Sequence, residues 1–223
     1  MKSISAVINA RTQSTRVPNK LMRNFHNTTL IEIALNKLNN MDFFENRFLA
    51  VAEQELMDIG NKYENVKVLK RSVSAVKKGV NPLNVTFEHY LNIPSDYIFV
   101  FNPCLPFIEI STIKLAFDYF QNTDFNSYTA VVPTGDWIFD SNGLPLTIKD
   151  PNNVTTNKDV SFFKGCHAFH IINKEYFRHN KILWTFEKNN PHIIEIPSDQ
   201  AIDVDTLDEF DLAQLKYKQK YFI

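Results

Sequence analysis

Glycine is scarce: the 223 residues hold five, and the first is Gly60. Two glycine-built phosphate cradles are therefore excluded at the start of the chain, the G-x-x-x-x-G-K-[ST] loop and the G-x-G-x-x-G turn. Cysteine is scarcer, with Cys104 and Cys166 alone. That excludes a disulfide framework and fits a reducing compartment. No apolar run reaches 18 residues, so no membrane-spanning helix is expected. The opening "MKSISAVINA" is too short and mixed for a secretory leader. Net charge is −1, with a pI near 6.6. With no general field of one sign, neither nucleic acid nor a membrane surface is an expected partner. Together these absences predict a soluble, cytoplasmic protein.

What is present is an alternation. A chain of this length buries about 72% of its unfolded surface, enough for one core, and residues 1–223 read as one domain. Ile4 to Ala10 is an apolar, β-branched run, the mark of a strand covered on both faces. Residues 11–29 are polar and irregular, and from Leu30 the apolar positions 30, 31, 34, 35 and 38 keep a helical period. Strands follow at 47–52, 66–69, 97–101 and 128–132, with helices to about Asn61, from Pro82 to Leu91 and from Ile110. Alternation of this kind predicts an α/β fold, doubly wound around a mostly parallel sheet. From Pro133 to about residue 165 the pattern breaks into a small β/loop insertion, with Asn142-Gly143 as a hairpin turn. It reads as a surface loop, or as a lid or dimerisation arm. "FFKGCHAFHII" and "HIIEIP" resume as strands.

The first chemical signal is "NARTQSTRVPNK", residues 9–20. In open α/β sheets ligands sit beyond the carboxyl ends of strands, and this loop leaves the first strand there. Arg11, Arg16 and Lys20 stand in it with no acid among them. Two planar forks and a point charge suit an anion such as phosphate. Ser14 and Thr15 add hydroxyl donors, and Pro18 stiffens the path. The bland alternative is a set of solvated surface charges.

The second signal is "AIDVDTLDEFDLAQ", residues 201–214. If this is extended, Asp203 and Asp205 share a face. Adjacent carboxylates repel unless a cation joins them, and hard oxygen ligands suit Mg2+, which is completed by water and substrate phosphates. Thr206 and Glu209 form a capping box for the last helix, and Asp208 reads as ordinary N-terminal decoration of that helix.

"ARTQSTRVPNK" resembles the A-R-x-G-S-x-R-[IVL]-P-x-K signature of the cytidylyltransferases that activate acidic sugars, those of the acylneuraminate type and their relatives. "AIDVDTLDE" resembles the same family's [AI]-I-D-I-D-T segment before its last helix. Between them, "VLKRSVSAV" places Arg71 where a nucleotide-side arginine sits, and "VFNPCLPFI" places Asn102 where the acceptor is met. The resemblance implies a Rossmann-like nucleotidyltransferase fold and transfer of CMP from CTP to a nonulosonic-type acidic sugar, with release of pyrophosphate. It implies that Ala10, Arg11, Ser14, Arg16, Lys20 and Arg71 hold the nucleotide, and that Arg11 and Lys20 act in catalysis. Asp203 and Asp205 would hold Mg2+, and the protein would be a homodimer. Gln13 replaces the signature's glycine, which tolerates φ > 0 and lets backbone approach a ligand. Ser72 replaces a proline, and Glu53 falls in the segment after strand two where the family often has S-T-D-D.

Other residues have plainer readings. His167 and His170, three apart on a strand, are expected on opposite faces as hydrogen-bonded structural histidines. Cys104 reads as packing. Trp137 and Phe139 are expected in the core, with stacking on a sugar or a partner subunit as the alternative. Three other functions remain open. One is cytidylyl transfer to another acidic or phosphorylated metabolite. Another is a glycosyltransferase using Asp203-Val204-Asp205 as its Asp-x-Asp motif. The last is a non-catalytic nucleotide-binding relative.

Overall fold

The computed structural model describes residues 1–77, 81–147, 152 and 162–222. Its centre is a seven-stranded sheet. Strand β1 (Ile4–Asn9) is followed by a two-residue ladder of β2 (Asn24–Phe25) and β3 (Thr28–Thr29), then by helix α1 (Leu30–Asn39). Next come β4 (Asn46–Val51), α2 (Gln54–Gly60), β5 (Lys67–Lys70), the short α3 (Val73–Val76) and α4 (Leu83–Thr86), and β6 (Tyr97–Phe101). The chain closes with α5 (Ile110–Gln121), β7 (Ser127–Thr134), β8 (Phe162–Asn173), α6 (Lys174–Asn180), β9 (His192–Glu195) and α7 (Leu207–Phe222).

The strand order is β5-β4-β1-β6-β8-β7-β9. β1 pairs in parallel with both β4 and β6, and only β8 runs against its neighbours. The chain winds outward from β1 through β4 to β5, then crosses to β6 on the other side. The gap beyond the carboxyl ends of β1 and β6 is therefore the topological switch point, where ligands bind in open α/β sheets.

Alternation in β1 explains why both faces are covered. Ala6 and Ile8 join a core cluster with Leu30, Leu35, Ile113, Phe117 and Phe210, from α1, α5 and α7. Val7 points to the opposite face, to Tyr90, Ile93 and Phe177. The doubly wound prediction holds, with a mixed sheet as the finer result.

Three local expectations change. Residues 24–29, read as irregular, form a hairpin whose turn residues His26 and Asn27 have φ of 47° and 64°. That pair suits a type I′ turn, and it buries Phe25 against Phe210 and Tyr217 at ring distances of 5.2 and 5.4 Å. The helix expected from Pro82 to Leu91 breaks at Phe87, between α4 and a 3₁₀ turn over Glu88–Asn92. Within the insertion, Pro133 and Thr134 extend β7, and Phe162 to Gly165 open β8.

The Asn142-Gly143 turn forms as expected, Gly143 having φ of 81° and Asp140 N donating to Leu144 O at 2.9 Å. Trp137 and Phe139, expected in the core, are 45% and 51% exposed, because this small hairpin packs mainly on itself. The rest of the expected insertion, 148–151 and 153–161, lies outside the described residues.

Candidate active site

The cationic loop is fixed at both ends. Ala10 N donates to Ala50 O at 3.1 Å, continuing the sheet one residue past β1. Thr12 then donates from its amide and its hydroxyl to Glu53 Oε1, at 3.0 and 3.1 Å. The other oxygen of Glu53 accepts from Ala52 N at 3.3 Å. At the far end Val17 is fully buried, and Asn19, at φ 53°, accepts from Met22 N and Arg23 N. Between these anchors Arg11, Gln13, Thr15 and Arg16 are exposed. They border an open cleft of about 600 Å³ lined by Arg11, Gln13, Ser14, Thr15 and Pro18 among others. Gln13 is not among the positive-φ residues, so the missing glycine imposes no left-handed strain.

Residues at the other end of the sequence close the site. Lys20 Nζ donates to Val204 O at 2.5 Å and to Asp205 Oδ1 at 3.1 Å. Arg16 Nη2 meets the same Asp205 oxygen at 2.8 Å. Val204 N donates to Cys104 O at 3.1 Å, which lays the aspartate segment across the end of β6. The capping box forms as expected, with Thr206 N donating to Glu209 Oε2 at 2.8 Å and Glu209 N donating to Thr206 Oγ1 at 3.2 Å. It sets the point from which Asp205 projects.

Electrostatics separate the two aspartates. Burial, then repulsion from Asp205, pushes Asp203 up to about 6, against the pull of Lys20 and His167. Its Oδ1 is buried with no hydrogen-bond partner. A buried carboxylate oxygen without a donor is costly, and a cation removes that cost. Among the described residues no three His, Cys, Asp or Glu side chains gather as a self-contained metal site. Two aspartates completed by water and phosphate oxygens are the set Mg2+ accepts, so the residues fit that ion. Burial alone would lower Lys20, but Cys104 and Asp205 beside it reverse this and raise it, keeping the ammonium charged. Burial pushes the Cys104 thiol up, against the pull of Lys20.

The middle residues divide. Arg71 is buried, its Nη2 donating to Ala75 O and Thr86 O at 3.2 and 3.0 Å. Burial lowers its pKa, and Arg11 is close enough to add to that. It borders the loop but spends this nitrogen on the backbone, leaving its buried Nε without a partner. Asn102 Oδ1 accepts from Cys104 N at 2.9 Å, shaping the turn after β6 and leaving its amide nitrogen for other work.

Sequence reasoning missed a buried ladder. Asn9 Nδ2 donates to Tyr90 Oη at 2.6 Å, and His89 Nε2 meets Asn9 Oδ1 at 2.8 Å. Burial, then Arg71, pushes His89 down to about 3, so it is neutral and donates from Nε2. No sequence pattern pointed to it. Glu53 was also missed as the clamp of Thr12, although an acid just past β4 was visible.

His167 and His170 do not face opposite sides. A bulge between Thr129 and Val131 and a φ of 54° at His167 break the alternation, and His167 Nδ1 lies 3.4 Å from His170 Nε2.

Comparisons with known proteins bear on the family and the fold. Over 135 residues the chain is 27% identical to the 3-deoxy-manno-octulosonate cytidylyltransferase of Rickettsia felis. That covers 59% of this chain and 52% of the relative, so the chain spans about half the length of the curated relative it matches. A CMP:2-keto-3-deoxy-manno-octonic acid synthetase solved with CTP superposes with a TM-score of 0.69 at 10% identity, covering 98% of this chain and all of that one. The 4-diphosphocytidyl-2C-methyl-D-erythritol synthase of Anaerococcus prevotii gives 0.68 at 13% identity, covering 97% and 99%. At such identities these two likenesses establish the fold. The family rests on a broader match, since the cytidylyltransferase model spans residues 5–222 and takes in both the Arg11–Lys20 loop and the Asp203–Asp205 segment. This chain belongs to the cytidylyltransferase family.

Proposed function

We propose that this protein transfers CMP from CTP to an acidic sugar of the nonulosonic type and releases pyrophosphate. One observation carries the reading. Side chains some 190 residues apart in sequence, Arg16 and Lys20 with Asp205, meet at the sheet's switch point within 3.1 Å. Cations that hold a triphosphate and carboxylates that hold its metal ion have to be neighbours, and here they touch.

In this mechanism Arg11, Arg16 and Lys20 bind the triphosphate, and Ser14 donates its hydroxyl to a phosphate oxygen. Ala10 and Arg71 shape the nucleotide side, and the free amide of Asn102 faces the acceptor. An acceptor hydroxyl attacks the α-phosphorus in line, the bond from that phosphorus to the bridging β-phosphate oxygen breaks, and the hydroxyl proton passes to solvent water. Catalysis is mostly positioning and charge neutralisation, with Lys20 and Arg11 stabilising the departing pyrophosphate. Asp203 and Asp205 would hold Mg2+, which would supply Lewis-acid neutralisation of the phosphates. A bound triphosphate would take over Arg16 and Lys20, which would leave the Asp205 carboxylate free to act as a ligand.

The family match supports cytidylyl transfer over the glycosyltransferase reading of Asp203-Val204-Asp205. The acceptor side has a second candidate. The likeness in fold to the 4-diphosphocytidyl-2C-methyl-D-erythritol synthase favours testing other acidic or phosphorylated metabolites beside acidic sugars. The assay is pyrophosphate release from each of four nucleoside triphosphates with Mg2+ against both acceptor classes. CTP with an acidic sugar is the expected pair. CTP binding without turnover of any acidic sugar would sink the reading and favour a non-catalytic or differently fed relative.

The same proposal includes a homodimer acting in the cytoplasm, where CTP is made. Trp137, Ile138, Phe139, Leu144 and Leu146 are all exposed on one small hairpin, an apolar surface suited to a second copy. No helix among the described residues is long and apolar enough to cross a membrane.

A further inference from the structure

Beyond the carboxyl end of β6 stands a side-chain pair that the mechanism above does not use. β8 runs against its neighbours, and its Phe169 pairs with Phe101, the last residue of β6. The residues before Phe169 therefore stand beyond the carboxyl edge of β6, held there by Val131 to Thr134 of β7. The bulge falls in this extension, with His167 at φ 54°. Such a conformation costs a side-chain-bearing residue about 1–3 kcal/mol and persists where the surroundings over-determine it. Bulges re-aim side chains beside functional sites.

The direction gained is specific. His167 Nδ1 lies 3.4 Å from His170 Nε2, and His170 Nδ1 lies 3.0 Å from Thr129 Oγ1. His170 also packs against Trp184, at a ring distance of 5.1 Å. Burial, helped by His167, pushes His170 down to about 4, so it is a neutral strut. Whichever ring donates across the contact, it uses His167 Nδ1 and leaves Nε2 turned away from His170. That nitrogen is the one polar ring atom not facing His170, on an exposed side chain close enough to Asp203 to influence it.

An anionic acceptor entering beside Asp203 and Asp205 meets two carboxylates, while Arg16 and Lys20 serve the triphosphate. It needs a donor of its own. We propose that His167 determines acceptor specificity, its outward Nε2–H donating to the anionic group of the acceptor while His170 and Thr129 hold the ring. This deepens the cytidylyl-transfer reading and rests on it.

The test is His167→Asn. Asparagine tolerates the left-handed backbone and keeps an amide near the Nδ1 position facing His170, with nothing where Nε2 stood. Hydrogen bonds to charged groups contribute enough that the acceptor KM should rise about 10–100-fold, with kcat and the KM for CTP within about twofold. Calorimetric titration with CTP and Mg2+ checks that the variant is folded. An acceptor analogue with its carboxylate amidated should cost the wild type a similar factor and the variant little, closing a cycle between residue and group. An unchanged acceptor KM, equal shifts for both substrates, or a loss confined to kcat would overturn the assignment. Absence of pyrophosphate release by the wild type with every acidic acceptor would instead remove the underlying function, a result read before any variant is made.

Discussion

Replacing Asp203 with asparagine should make the ligand-free protein more stable and nearly inactive. Asp203 is held at about 6 in the folded protein, against about 3.9 for an ordinary aspartate. Between those values the folded state keeps a proton that the unfolded chain has released. Stability from this group therefore falls as pH rises through that window, and the full penalty stands above it. A shift of about 2 units corresponds to about 3 kcal/mol, and partial solvent screening reduces this to about 2 kcal/mol. The asparagine of Asp203→Asn would carry no charge to desolvate, so the variant should gain about 2 kcal/mol at pH 8, or about 4–8 °C in Tm. Urea denaturation at pH 4.5 and pH 8, without metal or nucleotide, measures it. The wild type should lose stability relative to the variant across the interval, while the variant loses about 10²-fold or more in pyrophosphate release. Equal stability at pH 8, or the same relative stability at both pH values, would refute the claim that Asp203 is a strained, cation-seeking carboxylate.

Lys20→Ala should lower kcat by about 10²–10³-fold if its ammonium stabilises departing charge, and unchanged turnover in the release assay would remove it from catalysis. Glu53→Ala leaves Thr12 N and Ala52 N without their acceptor, a loss of about 1–3 kcal/mol; calorimetry should show weaker CTP binding, because the root of the loop is freed. Gln13→Gly should lower thermal stability by about 0.4–1 kcal/mol through the unfolded chain, with activity unchanged within about threefold, since the backbone there needs no glycine. If the proposed homodimer forms through the 137–146 hairpin, Phe139→Asp should sediment as a monomer where the wild type sediments as a dimer, and a monomeric wild type would refute it.

The strands of the central sheet were legible because most are short apolar runs bounded by polar turns, and β6 matches its predicted limits at Tyr97 and Phe101. The direction of β8 was not legible, because an antiparallel and a parallel central strand bury the same residues. The bulge at His167 was hidden for a related reason: one extra residue inverts the face of everything on one side of it, and nothing in "GCHAFH" marks it. The charged ends of the site could be read from residue type and spacing. Glu53 and the Asn9–Tyr90–His89 ladder could not, since their roles exist only through contacts that fold formation creates.

The bond from Lys20 to Val204 joins residues 184 apart in the chain, and Phe25 is roofed by Phe210 from the last helix. The pocket is therefore a late product of folding: closures over such separations are slow to form, and a ribosome must release α7 before the nucleotide loop has its counterpart. Shortening that helix should silence the enzyme although Arg11, Arg16 and Lys20 all remain in the sequence.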